Sequence, residues 1–364
     1  MLFWIFVFLL ARQSSLTQGH PDLLARAPTE ASCDCTINSC RTLFDIVWGC
    51  LATMFACTWV ALHQNVPEPK LGWFSLLMRK LRMMLVTIIA PEVIVGFAAR
   101  QLVSARWISK GKVPYHSIRK IKKADIEDKS NGDTLSKGVA IAQGLWFVTE
   151  CLARVSQHLP LTELEVATLA FAVLSVVIRL LWFHKPLDVQ QPIVVARSEV
   201  DPLQEEVTLP WDSVTLIDQI GSKIFGDHDH HHPISSTSVP SFYSIEIGTE
   251  DNQKLISTAG VFGVGTVFGS IHCAAWNALF PSMVEMWIWR ISSVFIAAYP
   301  ALTTLFMIAG GAWGNAVFAI FMVFGAVVYT LCRLFLITLS FTTLRSLPPS
   351  AFMDVNWSNY IPHL

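Results

Sequence analysis

Residues 316–339 read AVFAIFMVFGAVVYTLCRLFLITL, and this apolar run carries the first inference about the fold. A helix needs about 20 consecutive, mostly apolar residues to cross the hydrocarbon core of a bilayer, and this run is long enough. Its charged residue, Arg333, has a side chain long enough to extend toward the membrane interface. The pattern therefore predicts a membrane-spanning helix.

Apolar residues elsewhere also come in blocks rather than in the spread typical of a soluble domain. The chain of 364 residues is 53% hydrophobic and only 15% charged, whereas an average soluble domain has about 25% charged residues. Five further blocks have the character of spans: 43–62, 139–157, 163–183, 257–279 and 291–311. We predict an all-α fold, a polytopic transmembrane helical bundle of about six spans, with a range of six to seven.

The block 83–99 is ambiguous, because it is near the minimum length for a span and contains Pro91 followed by Glu92. Basic residues cluster on both sides of it, within 70–82 and within 100–123. Positive residues collect on the cytoplasmic side of short loops. A re-entrant or interfacial helix keeps both clusters on one side, so we prefer it to a full crossing.

The N-terminal region predicts entry into the secretory pathway. Residues 1–19 resemble a cleaved signal peptide, and the polar segment 20–42 contains Cys33, Cys35 and Cys40. Two of these cysteines could form a disulfide in an oxidising compartment. We expect an integral membrane protein of the endoplasmic reticulum, plasma membrane or vacuole. The remaining regions are a first helix group, a polar loop or small subdomain, a second helix group and a polar tail: 43–183, 184–256, 257–340 and 341–364.

Two local motifs predict details of helix geometry. Thr162 and Glu165 have the spacing of a capping box, in which each side chain bonds the other residue's backbone N–H at the start of a helix. Gly265 and Gly269 form a G-x-x-x-G pattern, which favours close contact between apolar helices.

Ionisable residues within membrane segments are costly and therefore point to function or to a structural pair. The candidates for an intramembrane polar site are Glu92, Glu150, Arg154, His272, Glu285 and Arg290. Glu150 and Arg154 stand one helical turn apart, so they could form an ion pair that is either structural or part of a substrate site. Glu285 and Arg290 could pair across the turn after Pro281.

The polar loop contains the weak metal-like tract His228, His230, His231 and His232. Histidine-rich tracts can bind zinc or copper loosely, and a solvated loop is the alternative. No motif indicates a particular cofactor. The net charge of −1 gives no electrostatic argument for nucleic acid, so the bilayer is the expected partner, with a protein partner at 184–256 left open. Asn356 begins an N-x-S sequon and is a glycosylation candidate.

Four stretches resemble a family of fungal multi-pass integral membrane proteins. They are RTLFDIVWGCLATMFACTW (41–59), WFVTECLARVSQHLPLTELEVATLAF (146–171), WFHKPLDV (182–189), and HCAAWNALFPS with WRISS (272–293). The resemblance implies a fungal source and a membrane location, and it carries over no catalytic residue. His184 stands where relatives have an amide side chain, so nothing is inferred for that position.

Three functions remain open on the sequence. A transport, channel or receptor-like protein would place its site near Glu150, Arg154 and His272. A membrane-embedded enzyme or accessory protein of lipid or fungal secondary-metabolite chemistry would bring His272, Glu285 and Glu92 together. A membrane scaffold would instead bind its partners through the loop 184–256.

Overall fold

The structure is a computed structural model that describes residues 40–67, 71–109, 126, 134–189, 239, 251–308 and 315–360. Within these ranges the chain is helical, and no strand occurs in them. Cys40 and Met353 form an isolated antiparallel bridge. The predicted all-α class is therefore confirmed for this part of the chain.

We number the described α-helices of eight residues or more in chain order. They are α1 (Leu43–Trp59), α2 (Trp73–Ile89), α3 (Pro91–Ser109), α4 (Thr134–Ser156), α5 (Glu163–Leu181), α6 (Asp251–His272), α7 (Met283–Ile308) and α8 (Asn315–Thr342). Short 3-10 helices follow at Cys273–Ala275, Thr343–Ser346, Pro349–Phe352 and Trp357–Asn359.

The chain divides into two compact units. Unit 1 comprises Met1–Cys57, Ala140–Ser175 and Phe262–Leu364. Unit 2 comprises Thr58–Val139 and Val176–Val261.

Fewer helices than predicted meet the length and hydropathy of a membrane span. In the described ranges three do so: Glu163–Leu181, Met283–Phe306 and Ile320–Ser346. A fourth is reached if the bent pair α2 and α3 forms one span. The helices at Leu43–Trp59 and Gly260–Ala275 are apolar but shorter, so the six predicted spans are not confirmed.

The ambiguous block 83–99 is not one helix, because the chain bends by 113° between α2 and α3. The break lies at Ala90, whose backbone leaves the helical region with φ −138° and ψ 72°. Pro91 explains the position, since a proline disfavours helical geometry in the residue before it and lacks the N–H that would continue the helix.

Unit 1 confirms the capping box, and it shows a close helix contact at Gly269, one of the two glycines of the G-x-x-x-G pattern. Thr162 N–H donates to Glu165 Oε2 at 2.8 Å, and Glu165 N–H donates to Thr162 Oγ1 at 3.2 Å, so the capping box is formed. Gly269 faces α7 so closely that an added Cβ would lie 2.5 Å from the backbone nitrogen of Ala297. A side chain at 269 is therefore excluded by backbone, as a G-x-x-x-G contact requires.

Candidate ligand-binding site

The sequence suggested an ion pair between Arg154 and Glu150, but the structure does not form it. Its guanidinium is fully buried and donates instead to backbone carbonyls: Nη1 to Met353 O at 2.8 Å, and Nη2 to Ala351 O at 3.2 Å and Pro160 O at 3.1 Å. The C-terminal segment supplies two of these acceptors. Arg154 therefore holds that segment within unit 1 and has a structural role.

A second buried arginine, which sequence reasoning passed over, supports the same segment. Arg41 forms a two-pronged ion pair with Glu165, including Nη2 to Oε2 at 3.1 Å, and donates from Nε to Ala351 O at 2.8 Å. Both side chains are buried. Because Glu165 also closes the capping box, this ion pair joins the start of α5 to the N-terminal and C-terminal segments of unit 1.

His272 and Arg333 are both fully buried in unit 1 and contact each other. His272 Nδ1 lies 3.1 Å from Phe268 O and is assigned as the donor, so Nε2 accepts from Arg333 Nη1 at 3.2 Å. The guanidinium also lies 4.5 Å from the ring centre of Phe268 and 5.4 Å from that of Phe171. Such cation–π contacts stabilise a buried cation.

The cavity beside this pair is too small for a ligand. Its volume is about 10 Å³, room for about one water molecule, and apolar side-chain surface forms its wall. Arg333 is thus buried among aromatic rings, and the predicted extension of its side chain to the interface is wrong. Glu150 and Arg154 do not line this cavity, so the expected convergence of those two residues with His272 is not seen.

Glu285 and Arg290 also have different partners from those predicted. Glu285 accepts from Arg345 Nη2 at 2.6 Å, and Arg290 donates to Trp276 O at 2.8 Å. Neither side chain contacts His272, so the structure does not show the contact between His272 and Glu285 that the enzyme hypothesis predicted.

The remaining candidates give no assembled site. Glu92 lies in the first turn of α3, in unit 2. The tract 228–232 lies outside the described residues, and the described ranges hold no group of three or more His, Cys, Asp or Glu side chains placed to bind a metal. Cys40 is disulfide-bonded, whereas positions 33 and 35 are outside those ranges. Asn356 is exposed and caps a 3-10 turn by accepting from Ser358 N–H at 3.1 Å.

Unit 2 contains a hydrogen-bonded network around Lys185, just after α5. Lys185 Nζ donates to His63 O at 2.6 Å, Gln101 Oε1 at 2.9 Å and Asn65 Oδ1 at 3.0 Å. Gln101 Nε2 donates to Asn65 Oδ1 at 2.8 Å, and Trp182 Nε1 donates to Gln101 Oε1 at 3.0 Å. The three acceptors match the three N–H donors of an ammonium group.

Aromatic rings and burial set the electrostatics of this amine. Nζ lies 4.9 Å from the ring centre of Trp182 and 5.5 Å from that of Phe97. Burial, followed by the nearby charge of Arg79, lowers the pKa of Lys185 to about 7. Both the ammonium and the neutral amine are therefore populated near neutral pH.

The network anchors a short turn that ends at a cavity of about 150 Å³ in unit 2. Asp188, three residues beyond Lys185, adopts a left-handed backbone with φ 53° and pairs with Lys80 Nζ at 3.1 Å. Lys80 Nζ also lies 4.6 Å from the ring centre of Trp59. The residues that line the cavity are Trp59, Gln64, Pro67, Leu76, Leu77, Lys80, Asp188 and Val189.

This cavity combines an apolar body with a polar end. Trp59, Leu76 and Leu77 supply apolar surface. Lys80 and Asp188 supply opposite charges that largely cancel each other. Gln64 is one of the lining residues, and among the described residues its Nε2 is buried without a hydrogen-bond partner, which is unusual for an amide. A mostly apolar concavity with a few polar groups is the usual form of a small-molecule site.

None of the cavity-lining residues was a sequence candidate. The signal available was the segment 182–189, quoted above for its resemblance, because it contributes Trp182 and Lys185 to the network and Asp188 to the cavity. Lys80 had been counted only as part of a basic flank. The pairing of positions 80 and 188 bridges more than a hundred residues and has no local pattern.

Comparison with known proteins gives a family but no activity. No curated protein and no solved structure matches the chain. A family profile matches residues 23–114 and 115–222, which is more than half of the chain and includes the Lys185 network and the cavity. The chain therefore belongs to DUF8562, a family of unknown function.

Proposed function

We propose that this protein is a receptor-like or transport-type integral membrane protein that binds a small neutral ligand in the cavity of unit 2. The observation that carries the proposal is a 150 Å³ cavity lined by Gln64, whose Nε2 is buried without a hydrogen-bond partner among the described residues and could meet an acceptor after a small rotation of the amide. Within the described ranges three helices are long and apolar enough to cross a membrane, which supports the location.

The cavity suggests the class of ligand. A volume near 150 Å³ can hold a molecule of about the size of benzene. The face of Trp59 and the leucines favour an aromatic or compact aliphatic body. The amide of Gln64 favours a ligand with a hydrogen-bond acceptor, and the Lys80–Asp188 pair leaves little net charge to attract an ion. A small aromatic or aliphatic alcohol or amide meets these conditions.

The test uses the full-length protein in lipid nanodiscs, with benzyl alcohol, toluene and benzylammonium as probes. A ligand that binds the native state raises the thermal unfolding midpoint. We expect the largest rise with benzyl alcohol, because it is the probe of the three that has a neutral polar group able to accept a hydrogen bond. The proposal fails if no probe gives a shift that depends on the cavity.

Two variants show whether a shift depends on the cavity. Leu77→Phe fills the space and should abolish the shift, while the volume-conserving Leu77→Ile should retain it. Gln64→Met keeps the length of the side chain and removes the donor, so the preference for benzyl alcohol over toluene should fall by about 2- to 10-fold. Equal shifts in wild type and Leu77→Phe would instead indicate that the probes act on the bilayer.

We further propose a topology of six spans with a non-crossing α2–α3 pair. The three helices of spanning length would be joined by α1, α4 and α6. The α1 helix has 17 residues, most of them apolar, and this length is at the lower bound for a span. Residues 1–19 would act as a signal peptide, which makes the secretory pathway of a fungal cell the proposed location.

A further inference from the structure

The α2 helix has an unusual distribution of exposed side chains. Phe74, Met78 and Leu85 are 59%, 40% and 56% exposed, and they recur at spacings of four and seven residues. This spacing places them on one helical face. Trp73, at the start of the helix, is 76% exposed. The outer surface of α2 therefore carries an apolar stripe, defined here as Phe74, Met78 and Leu85.

The inward face of the same helix carries two of its three charged side chains, Arg79 and Lys80. Arg79 Nη2 donates to Asn65 O and Val239 O, each at 3.0 Å, and Lys80 pairs with Asp188. In a helix at a water-facing surface the arrangement is the reverse, with charged side chains outside and apolar side chains inside. The apolar stripe of α2 thus fits an apolar surrounding.

Arg82 indicates how this helix lies in such a surrounding. It is exposed and stands at the edge of the stripe, roughly 60° around the helix from Leu85 at 100° per residue. Arg82 is also nine positions after Trp73, which places it about 13 Å along the axis at 1.5 Å per residue. A helix parallel to the membrane normal would carry this charge into the hydrocarbon core. A helix in the membrane plane keeps Arg82 at headgroup level while its stripe contacts acyl chains.

We propose that α2 is an in-plane membrane helix whose apolar stripe docks into one leaflet and whose Arg82 binds the phosphate of an anionic phospholipid. Interfacial helices of this kind combine buried apolar area with electrostatic attraction to anionic lipids. The 113° bend at Ala90 means that α2 and α3 do not form one straight helix across a bilayer, which is compatible with an in-plane α2.

The first experiment tests contact with lipid. In full-length protein reconstituted into phosphatidylcholine–phosphatidylserine nanodiscs, Phe74 is replaced by the photoreactive p-benzoylphenylalanine. Irradiation should give adducts of the chain with phospholipid, detected by mass spectrometry. The same amino acid at Tyr360, an exposed aromatic in the polar tail, is the control and should give none. Adducts between two protein chains, or a lipid yield no higher than the control, would overturn the proposal.

The second experiment tests the headgroup contact. The ratio of phosphatidylserine to phosphatidylcholine retained by the purified protein should fall about five-fold in Arg82→Gln, given the typical contribution of one basic residue near an anionic surface. Arg82→Lys keeps the charge and should keep the ratio. An unchanged ratio in both variants overturns the anionic-lipid assignment. The probe shifts at the Gln64 cavity do not depend on Arg82, so the two proposals fail separately.

Discussion

Replacing Lys185 with methionine should remove a specific pH dependence from the stability of the protein. The amine is buried, and its pKa of about 7 lies below the value of 10.5 that it has in an unfolded chain. Between these two pH values the unfolded state binds a proton that the folded state does not. Stability therefore rises with pH in this window, and it falls as pH decreases toward 7.

The size of the effect follows from the two pKa values. A difference of one pKa unit is worth about 1.4 kcal/mol, and the slope approaches this value per pH unit in the middle of the window. Raising the pH from about 7.5 to about 9 should therefore increase the free energy of unfolding of the wild type by about 2 kcal/mol. This corresponds to roughly 4–8 °C in the unfolding midpoint for a domain of 150–250 residues.

The assay is thermal unfolding of wild type and Lys185→Met across this pH range, in the same detergent or nanodisc. The range lies above the ordinary pKa of histidine, so His63 contributes little. We expect the midpoint difference between the two proteins to change by several degrees, with the wild type gaining as pH rises. Parallel curves would refute the reasoning, because they would show that the three oxygen acceptors hold the ammonium in its charged form throughout.

Three further substitutions, at Gly269, Arg41 and Arg154, test the packing of unit 1, with Gly263→Ala as a control. Gly269→Ala should destabilise by about 1–3 kcal/mol, since its Cβ meets backbone, whereas Gly263→Ala meets nothing within 4 Å and should be neutral or stabilising in a thermal unfolding assay. Arg41→Lys cannot reproduce the two-pronged bond to Glu165 and should lower stability by about 1–3 kcal/mol despite the retained charge, as chemical unfolding would show. Arg154→Met should release the C-terminal segment, so limited proteolysis should cleave after residue 350 faster than in wild type; an unchanged rate would contradict the role given to this arginine.

Local patterns in the chain predicted the features that depend on neighbours in sequence. The capping box at Thr162 and Glu165 needs only a spacing of three residues, and the interruption at Pro91 needs only the geometry of proline. Closeness in sequence also led to two wrong predictions, the ion pairs Glu150–Arg154 and Glu285–Arg290. Arg154 could reach Glu150 one turn away, but it bonds carbonyls near residue 352 instead.

The presence of helices long and apolar enough to cross a membrane could be predicted from composition and from runs such as 316–339, because length and apolarity are properties of consecutive residues. The candidate site does not follow in this way. Lys80 and Asp188 are far apart in the chain and meet only in the folded protein. Gln64 becomes a candidate only when the fold is known, because the fold buries its Nε2 without a partner among the described residues. A cavity is the space left between packed elements, and a buried charge is stabilised by whatever acceptors the packing brings to it. Both are set by long-range packing, which no pattern of neighbouring residues encodes.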